Sequence, residues 1–365
     1  MAKLHLPRVT FPKTDVALTA ALKFGSPTKT VKTSRARVRL SPYHITLHFF
    51  RRSRIMLKAM MKRVLILGTV TGTLMSSSAY AEKHLPPGEL ERKSFLEEVG
   101  AGERINLAGK LRMLSQRIAA AACYDHAGID VAKSAKVLHD ATAEFDRILY
   151  GLEFGDESLG IVGEEKDRKV LHDLKLIHDH WDYLHPEIED IIETGGTDEE
   201  VLHLAHESIE TLKIAQHLVS IVVGEYSDPA SLLQADALTI DIAGRQRMLA
   251  QRISKFACLI SSGLDIEFSQ KEMAATRQMY DASLNALRFG MPNAGIHATD
   301  DAAILAGLDE ILEVWAIEQP ILDSIAAGED VSDENLALIF NKMNELTAKM
   351  NTLVGLYAED SKQGL

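Results

Sequence analysis

Basic side chains are scarce over most of this 365-residue chain. Beyond residue 81, 25 lysines and arginines stand against 51 acids, a net charge near −26. A field of that sign repels nucleic acid and anionic lipid, and it opposes small anions at long range, so any anion site must be local. Long apolar runs are missing too. Residues 64–75 form a run of about a dozen, broken by glycine and threonine, where a membrane span needs roughly 20. No strand-like alternation competes in residues 89–358, which excludes a sheet. Nothing resembles a nucleophile elbow, a phosphate-binding loop, a His-Glu-x-x-His zinc site or a dinucleotide fingerprint. No enzyme, resident cofactor or metal is therefore expected.

Acids are nearly absent from the N-terminus. Residues 1–59 hold 13 of the 40 lysines and arginines and a single acid, Asp15. A basic tail ahead of an export signal has no folded context, so this stretch reads as a misassigned or disordered leader rather than a nucleic-acid arm. The export signal is residues 60–81. Met60-Met61-Lys62-Arg63 supplies the basic start, residues 64–75 the apolar segment, and Ala79-Tyr80-Ala81 the cleavage site, which implies a periplasmic mature protein. Left uncut, the same segment would tether the protein to the membrane.

What the chain does have is a duplication. Residues 105–118, Ile-Asn-Leu-Ala-Gly-Lys-Leu-Arg-Met-Leu-Ser-Gln-Arg-Ile, return at 240–253 as Ile-Asp-Ile-Ala-Gly-Arg-Gln-Arg-Met-Leu-Ala-Gln-Arg-Ile, a fixed offset of 135. An internal repeat of this kind marks two copies of one unit. At 100° per residue Gly109, Arg112 and Gln116 share one helix stripe, as do Gly244, Arg247 and Gln251. Glycine inside a helix costs about 1 kcal/mol relative to alanine, so a duplicated one suggests a close approach to the backbone. The neighbouring arginine offers a planar fork of donors suited to a small oxyanion. Seven of the 25 cations, Lys110, Arg112, Arg117, Arg245, Arg247, Arg252 and Lys255, lie in or just after the two repeated stretches of the motif helices.

The stretches Ile105-Asn106-x-Ala108-Gly109-x-x-Arg112-Met113 and Ile240-Asp241-x-Ala243-Gly244-x-x-Arg247-Met248 resemble the P-box of the nitrate/nitrite-sensing N-terminal domain. That PilJ/NarX-type domain occurs in sensor histidine kinases and in type IV pilus methyl-accepting chemotaxis transducers. The resemblance implies a periplasmic four-helix bundle in which P-box helices pair and an arginine from each holds the anion. Asp241 stands where the first copy has Asn106, and Gln246-Arg247-Met248-Leu249-x-Gln251-Arg252 is worded more like the pilus transducers.

Periodicity and end signals place eight helices. The first four are expected at about 89–123, 130–153, 165–193 and 198–224, the last opened by a Thr197/Glu200 capping box. Ser227-Asp228-Pro229 opens a fifth at about 230–262, and a sixth follows at 266–289. A seventh carries Trp315 and Pro320, echoing Trp181 and Pro186, and an eighth, capped by Ser332 or Asp333, spans 333–358. The expected fold is all-α: two tandem antiparallel four-helix bundles, 82–226 and 227–365, behind a signal peptide. Up-down order returns helix five to the start of helix one, so the motif helices pair in parallel and Arg112 faces Arg247.

Arg117 and Arg252 fall on another face and are expected to be solvated or paired with acids. Met113, Met248, Leu114 and Leu249 are expected in the core. Cys123 and Cys258 obey the same offset; a disulfide in an oxidising compartment and two buried thiols are both open. Glu200-x-x-His203 matches half of a bundle di-metal motif, but no second half accompanies it. The histidines at 172, 178, 180, 185, 203, 206 and 217 are expected to be solvated or capping.

The leading expectation is an exported sensor-type protein that binds a small oxyanion, nitrate or nitrite, at Gly109, Arg112, Gln116, Gly244, Arg247 and Gln251. It would signal to a membrane receptor, kinase or transporter. The alternative is a ligand-free helical interaction module in an envelope or type IV pilus/chemosensory complex.

Overall fold

A computed structural model describes residues 87–226 and 234–363, with side chains described over 102–226 and 238–360. The leader 1–59, the export signal 60–81 and the Ser227-Asp228-Pro229 signal lie outside the described residues. Among the described residues eight long helices form one compact unit: α1 (Pro87–His126), α2 (Val131–Phe154), α3 (Arg168–Thr194), α4 (Asp198–Tyr226), α5 (Gln234–Ser261), α6 (Ile266–Phe289), α7 (Ala302–Ala326) and α8 (Asp333–Gln363). The all-α expectation holds. Helices α1–α4 pack on one another as one group of four and α5–α8 as a second, with α1 lying along α5.

The helix ends follow from side-chain capping. Thr197 N–H donates to Glu200 Oε2 at 2.8 Å and Glu200 N–H to Thr197 Oγ1 at 3.3 Å, so the box closes α4's start in both directions. Ser332 Oγ accepts from Asn335 N–H at 3.4 Å at the start of α8. Helix α3 begins three residues later than its periodicity indicates, because Asp167 caps it by accepting from Lys169 and Val170 N–H. Glu165 turns inward instead, accepting from Tyr226 Oη at 2.6 Å and pairing with buried Arg104 at 3.2 Å.

In α2, Val131 is half exposed whereas Ser134 is buried. The Ser134 hydroxyl contacts Asp130 O and Asp125 Oδ1, each at 3.3 Å. A buried hydroxyl with partners costs little, which apolar periodicity alone does not register. Ile266 and Ser269 repeat the arrangement at the start of α6.

Each α2–α3 and α6–α7 link is a compact loop closed by a single bridge, Asp156 to Ile161 and Met291 to Ile296. Glycine is required at its start. Gly155 and Gly290 have φ of 86° and 78°, and a Cβ would sit 2.7 Å from Gly163 O or 2.9 Å from Ala298 N. Trp181 and Trp315 lock the pairs that follow, each donating its indole N–H at 2.6 Å, to Asp146 and Asp281.

The halves meet along α1 and α5. Cys123 and Cys258 form a disulfide with Cα atoms 6.1 Å apart. Fourteen residues upstream, a methyl on Gly109 would lie 4.0 Å from Arg247 Nη2. Two close approaches at equal sequence steps require the helices to run parallel and in register. Buried alanines at 119–122, 243, 250 and 257 keep the surroundings of these two helices close-packed. Two reciprocal contacts flank it: His206 Nε2 pairs with Asp265 Oδ2 at 3.1 Å, and Asn341 Nδ2 donates to Asp130 Oδ2 at 3.2 Å. Each is the other displaced by 135, the signature of an isologous interface made within one chain.

Gly155→Ala or Gly290→Ala is expected to lower stability by about 1–3 kcal/mol through clash and backbone strain. Gly224→Ala, in a helix with nothing within 4 Å of the added carbon, should leave stability unchanged or raise it by up to about 1 kcal/mol. Urea unfolding of the variants checks both.

Candidate functional site

Arg112 and Arg247 are both 97% removed from solvent and point at one spot in the seam. Each curls back one turn, donating Nε–H to the carbonyl of Gly109 at 3.4 Å or Gly244 at 3.3 Å. Each is steadied by the last helix of its own group: Arg112 Nη1 donates to Gln216 Oε1 at 2.8 Å, and Arg247 Nη1 to Asn351 Oδ1 at 2.5 Å. Gln216 and Asn351 are themselves 135 residues apart. The two Nη2 groups converge over the glycines. A methyl on Gly109 would lie 3.5 Å from Arg112 Nη2 and 4.0 Å from Arg247 Nη2, and one on Gly244 3.6 and 3.8 Å from Arg247 and Arg112. Those are ordinary contact distances, so packing does not demand glycine. The missing methyls leave space beside two guanidinium edges.

The electrostatics are strained in one direction. Burial first, and then Arg112 itself, pushes the Arg247 guanidinium down to about 10. Burial also lowers Arg112, but Asp241 Oδ1, 3.2 Å from Nη1, opposes that shift. Both groups stay charged near neutral pH, so two cations confront each other with one carboxylate nearby. Nη2 of each takes no acceptor among the described residues. An acceptor placed between them would gain charge-assisted bonds from both sides.

The other residues singled out by sequence sit deeper. Gln116 Nε2 donates to Ser208 O at 2.7 Å while its Oε1 accepts from Lys255 Nζ at 2.9 Å, so neither end of this amide is free for a ligand. Gln251 donates to Thr347 Oγ1 at 2.8 Å, and its Oε1 has no partner. Met113, Met248, Leu114 and Leu249 are buried. Arg252 pairs with Glu272, and Arg117 lies near Glu144 and Asp140. Among the histidines, His203 pairs with Glu187 at 2.8 Å and His217 with Asp173 at 2.5 Å. Among the described residues no three His, Cys, Asp or Glu side chains gather as metal ligands, and no helix is long and apolar enough to cross a membrane.

Sequence reasoning passed over Lys255. It is completely buried, and Gln116 Oε1, Ser208 Oγ and Ala205 O, at 2.9, 2.9 and 3.1 Å, match its three ammonium donors. The Phe256 ring lies 4.5 Å away. Lys255 thus ties α5 to α1 and α4 with neutral acceptors only, and burial lowers its pKa well below the usual lysine range. The signal was available: its repeat mate is Ala120.

The sequence profile of the family described as "Type IV pili methyl-accepting chemotaxis transducer N-term" matches residues 97–206 and again residues 231–338. Each match contains one of the two seam arginines. A curated relative, the methyl-accepting chemotaxis protein McpN of Pseudomonas aeruginosa, is 28% identical over 118 residues, 32% of this chain and 21% of the relative. The chain therefore aligns with about a fifth of that relative's length. The matched description is that of the pilus transducers and does not mention nitrate.

Glu318 breaks the apolar pattern of α7 where α3 has Leu184. It is fully buried and neither carboxyl oxygen has a partner. Burial pushes its pKa up to about 9; among the charges facing it from α8, Lys342 opposes the shift and Glu345 adds to it. Tyr124 of α1 and Tyr280 of α6 face it as well. With an ordinary value of 4.5, unfolding releases this proton at any pH between the two values. Stability is then lost as pH rises from about 4.5 to 9, at up to 1.36 kcal/mol per unit. Glu318→Leu is expected to stabilise the protein by about 2–3 kcal/mol at pH 8 and by much less at pH 5. Chemical denaturation at the two pH values measures the difference.

Proposed function

Because the chain belongs to the family of type IV pili methyl-accepting chemotaxis transducer N-terminal domains and carries two copies, we propose that it is a non-catalytic helical signalling module. It works in a chemosensory or type IV pilus complex of the cell envelope and passes its state to a membrane receptor, kinase or transporter. The observation that carries this reading is the α1–α5 seam, where both family copies meet in parallel as one unit. A shift of one four-helix group against the other is a two-state element that a partner can read. The disulfide supports a periplasmic place, since such bonds persist in oxidising compartments, and the basic-apolar-small pattern of residues 60–81 agrees with export. In-cell crosslinking of the tagged full chain should trap an integral-membrane signalling protein. A chain trapped only with itself would count against the module.

A second reading is favoured by one specific feature, the paired Nη2 edges without an acceptor among the described residues. In it a small oxyanion, nitrate or nitrite, sits between Arg112 and Arg247 above Gly109 and Gly244. An anion there neutralises the facing cations and draws α1 and α5 together. The glycines provide a test that separates binding from folding. Alanine at both should raise the stability of the ligand-free protein by up to about 1 kcal/mol per site, because the methyls fit. It should also cover the guanidinium edges and remove the response to anion. For the unaltered protein, nitrate or nitrite at 100 times its dissociation constant adds about 2.7 kcal/mol to the folded state. Thermal unfolding at fixed ionic strength checks both quantities. An anion response of full size in the doubly substituted protein would place the ligand elsewhere.

A further inference from the structure

Deeper in the seam Lys255 stands against Ala120, but immediately around the arginine pair the polar groups match with one exception. Arg112 matches Arg247, Gly109 matches Gly244, and Gln216 matches Asn351, each at the offset of 135. The exception is Asp241 against Asn106. Asn106 is exposed, whereas Asp241 reaches the seam and places Oδ1 3.2 Å from Arg112 Nη1. Its other oxygen lies 2.6 Å from Arg245, which is nearly half exposed at 46% and correspondingly screened by solvent. The first copy treats the equivalent cation differently: Lys110 pairs across to Glu144 of α2. Among the described residues no carboxylate of the first copy faces Arg247 in the way that Asp241 faces Arg112.

We propose that Asp241 is the specificity-determining residue of the seam, a resident carboxylate that competes for Arg112 and restricts the site to one monovalent anion. This rests on the anion reading above. Two buried guanidiniums without a counter-ion would favour a divalent anion such as sulfate, which satisfies both charges at once. With one carboxylate already on Arg112, the buried pair offers a single net positive charge. A monovalent anion closes that balance, and a divalent one leaves an uncompensated negative charge inside a protein that is already strongly acidic. The carboxylate also relieves the repulsion between the arginines when the seam is empty, so the ligand-free protein stays folded.

The test uses the full chain, titrated calorimetrically with sodium nitrate, nitrite, chloride and sulfate at fixed ionic strength. The wild type is expected to take nitrate or nitrite and to refuse sulfate. Asp241→Asn, which restores the residue of the first copy in nearly the same shape, should tighten nitrate binding about tenfold or more, the size of one charged contact removed, and should admit sulfate. Asn106→Asp, which adds the mirror carboxylate, should weaken nitrate by a similar factor. Binding seen only in Asp241→Asn would overturn the proposal, since the wild-type seam would then hold no anion besides its own carboxylate. Nitrate binding in the wild type with an unchanged affinity and anion order in Asp241→Asn would overturn the role of Asp241 and leave the anion site standing. No anion bound by the wild type or by either variant would overturn the anion site, and this proposal with it.

Discussion

The parallel pairing of α1 with α5 is the constraint from which the rest of the structure follows. Two helices in register bring the facing residues of one copy close to their mates, so whatever the motif places on that stripe is presented twice at one place. Alanines and glycines let the backbones close in, the disulfide fixes the lower end, and the arginines confront each other above it. The seam cannot separate without exposing two guanidiniums, an ammonium and a row of small apolar residues together. The outer helices then have a simple task. They cover the flanks of the pair and supply the neutral acceptors, Gln216, Ser208, Asn351 and Thr347, that hold the polar side chains in place.

Much of this was legible in the sequence because the repeat converts local patterns into a long-range contact. Apolar periodicity gave the helices, and the Thr197/Glu200 box gave the start of α4. Short links forced antiparallel neighbours within each group of four, and the constant offset then left one arrangement for the motif helices. The cysteines, weighed between bond and thiols from sequence, stand bonded in the structure. The start of α3 was misplaced by three residues, because a carboxylate cap at Asp167 and an inward glutamate at Glu165 look alike in a list of charged residues.

What could not be read was where the symmetry fails. Lys255, Asp241 and Glu318 each replace a neutral or small residue of the other copy, namely Ala120, Asn106 and Leu184. A charged side chain on a helix is ordinarily a solvated one, so periodicity assigns it outward, and only the neighbouring helices decide otherwise. Lys255 is held inside because three acceptors from two other helices converge on it. Glu318 is inside with no partner, which its protonation makes tolerable. Gln116 was placed at the ligand by its stripe, yet the ammonium of Lys255 takes its carbonyl. In each case the missing information is which side chains the neighbouring helices place against it.

The covalent linkage between the copies has a consequence for how such a seam can change over time. In a dimer of identical chains, a substitution on the axis appears on both sides at once. A lysine at 255 would there be accompanied by a second lysine at the position of Ala120, and a carboxylate at 241 by a second one at the position of Asn106. Joining the copies end to end removes that duplication of every mutation. Each side can then be altered alone, and one half can hold the geometry while the other explores charge. Lys255, Asp241 and the partnerless Glu318 are three places where this chain has departed from its own mirror image. None of the three is available to a symmetric pair.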